Sequence, residues 1–150
     1  MELAALNYSK QGKIELARGR NKEARAEFAE SVALLQRNRG DGADYRRTLA
    51  TSDAEYAEAA LALSDVSVAA TRADAAIELL ERNDRDPEVN DRDYDRSQLA
   101  LALRVRGLAS RDGGDVDAAA ARLERAQSLQ EPVVERNPGN AYYRWILATL

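Results

Sequence analysis

The densest group of potential ligand side chains is an acidic stretch near the middle of the chain. Its five carboxylates lie within ten residues, at Asp84, Asp86, Glu88, Asp91 and Asp93. A calcium loop places oxygen ligands at alternating positions and needs a glycine at its sharp turn. That glycine is missing here, and Pro87 interrupts the run. We therefore interpret the stretch as a solvated linker that caps the neighbouring helices, rather than as a metal site.

The other reactive side chains form no catalytic arrangement. The 150-residue sequence has no cysteine and no histidine, which excludes disulfides, zinc sites, haem ligation by histidine and catalysis by either residue. The turn at Gly113 and Gly114 is flanked by Asp112 and Asp115, so it is too acidic to cradle a phosphate. Paired carboxylates can act as general acid and base, but a shallow groove between helices has no dry pocket to shift their pKa values. We expect no enzyme activity, no cofactor and no metal ion.

An aromatic cluster near the end of the sequence has two interpretations. Tyr142, Tyr143 and Trp145 could stack on a ligand, because such rings combine a large apolar surface with a polar edge. They could instead fill the contact between two packed helical units. We favour packing and keep ligand stacking as the alternative.

Composition and charge indicate an all-α protein without a nucleic-acid surface. Alanine and leucine dominate the 45% of apolar residues, aromatic residues are only 5%, and β-branched residues are too sparse for a sheet. Residues 40–96 hold 7 basic and 15 acidic side chains, which opposes a continuous basic stripe. No window reaches the roughly 18 apolar residues of a membrane span, and we find no signal peptide. We therefore expect a cytoplasmic protein with no membrane partner.

Helical periodicity and turn residues predict about seven helices. Turns follow Gly19 and Gly40, and Asp44 and Asn140 are predicted to cap the helices that begin there. Pro132 lies inside the sixth helix, where its ring and its missing N–H predict a kink or a break. The predicted helices cover approximately residues 2–18, 22–37, 44–64, 68–82, 94–111, 115–136 and 141–150.

The helices form a repeat. Tyrosines recur every 49 residues, at Tyr45, Tyr94 and Tyr143. Each begins a similar run of residues. The seven-residue separation of Gly12 and Gly19 also recurs at Gly107 and Gly114. Self-similarity at a fixed period is the signature of stacked helical units. We predict one domain, an α-solenoid of stacked antiparallel helix pairs, with units at residues 1–43, 44–92 and 93–141 and the start of a fourth at 142–150.

The pattern of small and large residues in the third unit resembles the tetratricopeptide repeat (TPR), in which two antiparallel helices close on each other where side chains are small. The residues that carry the resemblance are Gly107, Gly114, Ala119, Leu123 and Ala126. The resemblance implies a right-handed superhelix. The period near 49 departs from the family's 34. Long repeats with a closing Asn-Pro and an opening Tyr-Arg resemble arrays attached to bacterial signalling proteins. Asp53 also departs, because it stands where the second unit should have a large apolar residue.

In this family the first helix of each unit lines a concave groove that receives a peptide or helix of a partner protein. By register, the resemblance implies a groove lined by Ser9, Lys13, Ala54, Glu58, Leu101, Arg104, Leu108 and Arg111. Members that bind the tail of a chaperone use a clamp of Lys, Asn and Arg, and Glu58 and Leu101 depart from that clamp. We therefore do not predict chaperone-tail binding. Each of these residues, taken alone, could also be an ordinary exposed helix position.

The predicted function is a protein–protein interaction scaffold. The alternative is a self-association or regulatory module of a larger signalling protein, with the groove filled by another domain or another copy. Leu150 lies inside what should be a helix, and such an open apolar end favours a fragment or a homo-oligomer formed through that end. A bulky residue at Gly107 should overpack the helix pair and destabilise it by about 1–3 kcal/mol.

Overall fold

The computed structural model describes residues 2–150 as a chain of helices. Within that part of the chain there is no strand. The elements are α1 (Glu2–Ala17), α2 (Asn21–Asn38), α3 (Ala43–Ala62), α4 (Val66–Arg85), α5 (Arg92–Asp112), α6 (Val116–Arg136) and α7 (Ala141–Thr149). The predicted all-α class and the number of helices are confirmed, and each predicted boundary lies within about three residues of the observed one.

The three turns inside the hairpins α1–α2, α3–α4 and α5–α6 share one backbone geometry. Each contains a left-handed residue, at Gly19 (φ 73°), Ser64 (φ 60°) and Gly114 (φ 89°). The next backbone N–H closes the turn by donating to a carbonyl five residues earlier, as Arg20 does to Glu15 at 2.9 Å. Glycine adopts positive φ without a steric penalty. The middle turn has a serine at this position, so it lacks the glycine that marks the other two turns in the sequence.

Side-chain caps begin several of these helices. The carboxylate of Asp65 accepts from Val68 N at the start of α4, and Asp115 serves α6 in the same way. Asn140 caps α7, as predicted from the sequence, by accepting from the N–H groups of two residues in its first turn. The predicted cap at Asp44 is wrong. This residue lies inside the first turn of α3, where it forms an ion pair with an arginine one turn later.

Small residues allow the helices of each hairpin to approach closely. A Cβ atom at Gly12 would lie 2.6 Å from the ring of Phe28. A Cβ atom at Gly107 would lie 3.3 Å from the Ala119 carbonyl oxygen and 3.3 Å from Leu123 Cγ. The close contacts predicted from the spacing of the glycines are therefore present in the first and third hairpins.

The middle hairpin replaces a large apolar residue with a buried ion pair. The side chain of Asp53 is only 2% exposed, and its Oδ1 lies 3.2 Å from a terminal nitrogen of Arg72. The Arg72 guanidinium also lies 4.9 Å from the centre of the Tyr56 ring. Burial raises the pKa of Asp53 to about 6, although Arg72 opposes the shift.

The hairpins stack side by side through consecutive helices, and the odd-numbered helices also contact one another. The backbone of α1 contacts that of α3, α3 contacts α5, and α5 contacts α7. Across residues 2–150, the backbones of α2, α4 and α6 make no comparable approach to one another. The odd-numbered helices therefore form the inner side of a curved array. The largest apolar cluster lies between the last two hairpins and α7, around Leu80, Leu99, Leu103 and Ile146.

Pro132 does not interrupt α6, which runs from Val116 to Arg136. The predicted break is wrong. The residues on both sides of the proline are held by packing, because Gln130 and Val133 are fully buried. Gln130 Nε2 also donates to the Tyr143 carbonyl oxygen at 3.0 Å and so fixes α6 to α7.

The repeated tyrosines have equivalent backbone positions but different surroundings. Tyr45, Tyr94 and Tyr143 are each the third residue of an odd-numbered helix. Tyr45 donates through its hydroxyl to the Leu35 carbonyl oxygen at 2.9 Å, and Tyr143 is buried. Tyr94 instead lies beneath the guanidinium of Arg47, 5.8 Å from its carbon. The helices therefore begin at equivalent places in the 49-residue period, whereas the contacts of the three tyrosine side chains differ.

Candidate functional site

The inner side of the array contains an open cleft of about 300 Å³. All four odd-numbered helices contribute to its lining, and Phe28 of α2 lies at its base. On α3, the lining side chains are Thr51, Ala54, Glu55 and Glu58. This spacing of three and four residues places them on one helix face. Every hairpin contributes to this cleft.

One wall of the cleft is aromatic. Tyr142 and Trp145 of α7 stack with ring centres 5.9 Å apart and planes inclined by 21°. Gln98 of α5 donates to the Tyr142 hydroxyl at 2.9 Å and fixes the pair to the neighbouring helix. Tyr142 is 42% exposed and Trp145 is 55% exposed, whereas Tyr143 is buried. The packing interpretation of this cluster is therefore correct for Tyr143, while the other two rings face solvent.

The cleft also holds a compact ion pair between α1 and α3. Lys13 Nζ lies 2.7 Å from Glu55 Oε1, and Ser9 Oγ donates to Glu55 Oε2 at 2.7 Å. Burial raises the pKa of Glu55, and Lys13 and Ser9 counteract part of that shift. Burial alone would lower the pKa of Lys13, but the nearby Glu55 carboxylate outweighs it, so this pKa lies above its ordinary value. The two charges therefore neutralise each other.

Two further charges in the cleft have no oppositely charged partner in the described residues. Arg104 of α5 donates through Nε to the Thr149 carbonyl oxygen at 3.0 Å, near the end of α7. It forms no ion pair there, and neither does Glu58 of α3, which is exposed. The cleft thus combines a neutralised pair with one accessible cation and one accessible anion.

Five of the eight residues predicted to line a groove contribute to this one cleft: Lys13, Ala54, Glu58, Leu101 and Arg104. Ser9 lies beside it and hydrogen-bonds to Glu55. Leu108 and Arg111 do not contribute to the lining. Arg111 is exposed and pairs with Asp112 at 3.0 Å, close to the turn that ends α5.

Sequence reasoning did not assign ten of the fifteen lining residues to a groove. Tyr94, Gln98, Leu101 and Val105 continue one face of α5, so the helical spacing from Leu101 was enough to find Gln98 and Val105. Tyr142 and Trp145 were singled out as aromatic residues but not placed in the groove. Their position depends on how α7 packs against α5, which is a long-range contact that spacing does not encode.

The acidic stretch that resembled a ligand cluster is instead tied to the helices around it. Asp84 accepts from Arg96 at 2.8 Å, and Asp86 accepts from Arg46 at 2.6 Å. Asp93 accepts hydrogen bonds from Arg136, which hold the pKa of its carboxyl below the ordinary value. In the described part of the chain, no group of three or more His, Cys, Asp or Glu side chains is arranged to hold a metal ion.

A buried polar seam continues from this stretch between α3, α4 and α5. Arg46 Nε donates to Asn83 Oδ1 at 2.6 Å, and Asn83 Nδ2 donates to Asp95 Oδ2 at 3.0 Å. Arg47 binds the same Asp95 carboxylate through two of its nitrogens. Asn83 and Asp95 are at most 1% exposed. These side chains all form hydrogen bonds within the fold. The cleft is therefore the candidate site.

No family model matches the chain, and no curated protein or solved structure is significantly similar to it. None of the helices in residues 2–150 combines the length and the hydropathy needed to cross a membrane.

Proposed function

We propose that this protein is an interaction scaffold that binds a segment of a partner protein in the cleft between α1, α3, α5 and α7. The observation that carries the proposal is the set of side chains on that surface. Tyr94, Tyr142, Trp145 and Arg104 line it together, although only 5% of the residues in the chain are aromatic. Trp, Tyr and Arg are the residue types enriched at the energetic centres of protein interfaces.

The shape and charge of the cleft support a protein segment over other ligands. The cleft is open along the inner helices, so an extended or helical segment can lie across several hairpins. Its two basic side chains, Lys13 and Arg104, are balanced by Glu55 and Glu58. A nucleic acid needs an excess of positive charge along its backbone. The proposed identity as a TPR-like array is supported by the three similar turns and by the glycine contacts at Gly12 and Gly107.

Two variants, each with one alanine replaced by arginine, test the proposed function. Ala54→Arg places a long side chain in the cleft, whereas Ala120→Arg places the same side chain on the exposed surface of α6. Proteins captured from a lysate of the source organism should be retained by the wild type and by Ala120→Arg, and lost with Ala54→Arg. Circular dichroism establishes that all three are folded. Retention of the same proteins by all three would contradict the proposal.

A second candidate function is self-association, and exposed apolar residues at both ends of the array favour it. Leu3 is 70% exposed and Ile14 is 46% exposed on α1, while Val116 is 64% exposed at the start of α6. Contact between opposite ends of two copies would cover these side chains. Light scattering at several concentrations tests this function: the mass should rise with concentration, and a constant monomer mass would exclude it.

A further inference from the structure

We propose that the segment bound in the cleft carries an acidic side chain beside an aromatic one, with the carboxylate on Arg104 and the aromatic ring against Tyr142 and Trp145. This inference rests on the proposed function, because it assumes that the cleft is occupied by a protein segment. It adds the chemistry by which that segment is selected.

The first step concerns the charges of the cleft. Lys13 is already neutralised by Glu55 at 2.7 Å, so it offers little to an incoming anion. Arg104 uses its Nε–H on the Thr149 carbonyl and has no carboxylate partner in the described residues. A guanidinium has five N–H donors in a planar fork, so the outer nitrogens of Arg104 remain able to bind a carboxylate with two parallel hydrogen bonds.

The second step concerns the position of the aromatic wall. Thr149, which holds Arg104, follows Trp145 by four residues on α7. Residues four apart lie on the same helix face about one turn, or roughly 5–6 Å, apart. The Arg104 guanidinium and the stacked pair of rings are therefore neighbours on one wall. A ligand that reaches both needs its carboxylate and its ring two residues apart if extended, or three to four apart if helical.

The third step concerns the carboxylate of Glu58, which also lines the cleft. Glu58 is exposed and lines the cleft from α3, whereas the aromatic wall belongs to α7. Its charge repels a second acidic side chain in the ligand and so favours one orientation of the bound segment. A uniformly acidic segment, or a phosphate-rich nucleic acid, would place negative charge against both Glu55 and Glu58. The charge pattern therefore selects a segment with one acidic group near an aromatic ring.

Selection of random 12-residue peptides displayed on phage tests the inference directly. The full-length protein is immobilised as wild type, R104E, W145A and R144E. Arg144 is the matched control, because it is an exposed arginine on the same helix and does not line the cleft. The wild-type and R144E pools should both enrich an Asp or Glu within two to four residues of Phe, Tyr or Trp. The R104E pool should replace the acidic residue with Lys or Arg, and the W145A pool should lose the aromatic preference.

The affinity of one enriched peptide gives the quantitative readout. Its Kd should rise at least about tenfold with R104E and with W145A, and stay within about twofold with R144E. An acidic preference that persists in the R104E pool would overturn the inference while leaving the proposed function intact. Peptides that bind equally well to every cleft variant, or a wild-type selection that enriches no binder, would overturn both.

Discussion

The buried seam between α3, α4 and α5 and the cleft on the inner side of the array use the same types of side chain in different ways. In the seam, Arg47 and Asn83 both donate to the Asp95 carboxylate, and Arg46 donates to Asn83. In the cleft, Arg104 is half-buried and donates only to a backbone carbonyl among the described residues, so its outer nitrogens have no partner there. The comparison shows that the partners of an arginine or a carboxylate decide whether it stabilises the fold or is available for binding. The seam residues hold the hairpins together, and the cleft residues are available to bind.

The largest predicted effect on stability comes from breaking the seam at Asp95. Asp95→Ala removes a fully buried carboxylate that accepts from both Arg47 and Asn83, and so takes away the charge that pairs with Arg47. Loss of one partner from a buried charged network costs about 3–5 kcal/mol. Urea denaturation should show a decrease of this size in the free energy of unfolding.

The matched control for this substitution is Asp74→Ala. Asp74 also pairs with an arginine, Arg106, at 2.8 Å, but the side chain of Asp74 is 57% exposed. Exposed ion pairs contribute about 0–1 kcal/mol. Equal losses for Asp95→Ala and Asp74→Ala would contradict the distinction between the seam and the surface.

A smaller effect is predicted at Asp53, a buried carboxylate whose one hydrogen-bond donor among the described residues is Arg72. The pKa of Asp53 is about 6 in the folded protein and ordinarily 3.8. Between these pH values the folded state holds a proton that the unfolded state releases. The contribution of Asp53 to stability is therefore fully present below about pH 3.8 and is lost as pH rises through about 6.

Asp53→Asn keeps an acceptor for Arg72 and removes the buried charge. At pH 7.5 the variant should be more stable than the wild type by roughly 2–3 kcal/mol, and the difference should shrink as pH falls toward 4. Urea denaturation across this range gives the measurement. A difference that stays constant with pH would show that Asp53 does not titrate in this way.

The glycine contacts extend the comparison to apolar packing. Gly12→Ala brings a methyl group within 2.6 Å of the fully buried Phe28 ring, which also forms the base of the cleft. The overpacking should outweigh the gain in helix propensity and destabilise the protein by about 1–2 kcal/mol. At Gly107 the nearest atoms are 3.3 Å away, so Gly107→Ala should stay within about 1 kcal/mol of the wild type. Thermal unfolding of the two variants tests this order, and a reversed order would contradict it.

The smallest effect on stability is predicted for the cleft itself. Trp145 is 55% exposed and makes one aromatic stack, so Trp145→Ala should lower the free energy of unfolding by less than about 1 kcal/mol. The same variant should lose most of its affinity for a bound segment. A strong loss of stability would instead assign Trp145 to packing and remove it from the proposed binding surface.

The fold was predictable from local signals. The glycines at the turns and the apolar spacing gave seven helices, and the 49-residue period gave the places where α3, α5 and α7 begin. The predicted break at Pro132 is wrong because tertiary packing fixes the residues around the proline. The predicted cap at Asp44 is wrong because the helix starts one residue earlier, at Ala43. In both cases long-range contacts or backbone geometry overrode a local preference.

The candidate site was only partly predictable. The resemblance to the TPR family, carried over by register, placed Lys13, Ala54, Glu58, Leu101 and Arg104 on one surface, and these five residues line the cleft. The exposed aromatic wall was missed as a part of that surface, since it depends on the packing of α7 against α5. The kinship to the TPR family, the hand of the superhelix and the cytoplasmic location stay predictions.

Fluorescence of Trp145, the only tryptophan in the chain, tests the central claim most directly. A peptide selected on the wild-type protein, with its aromatic residue a Phe, is titrated into the wild type and into R104E. If the cleft binds a partner segment against Arg104 and the aromatic wall, Trp145 emission should change to saturation in the wild type, and the midpoint should rise at least about tenfold in R104E. Binding detected by calorimetry without any change in Trp145 emission would contradict the account.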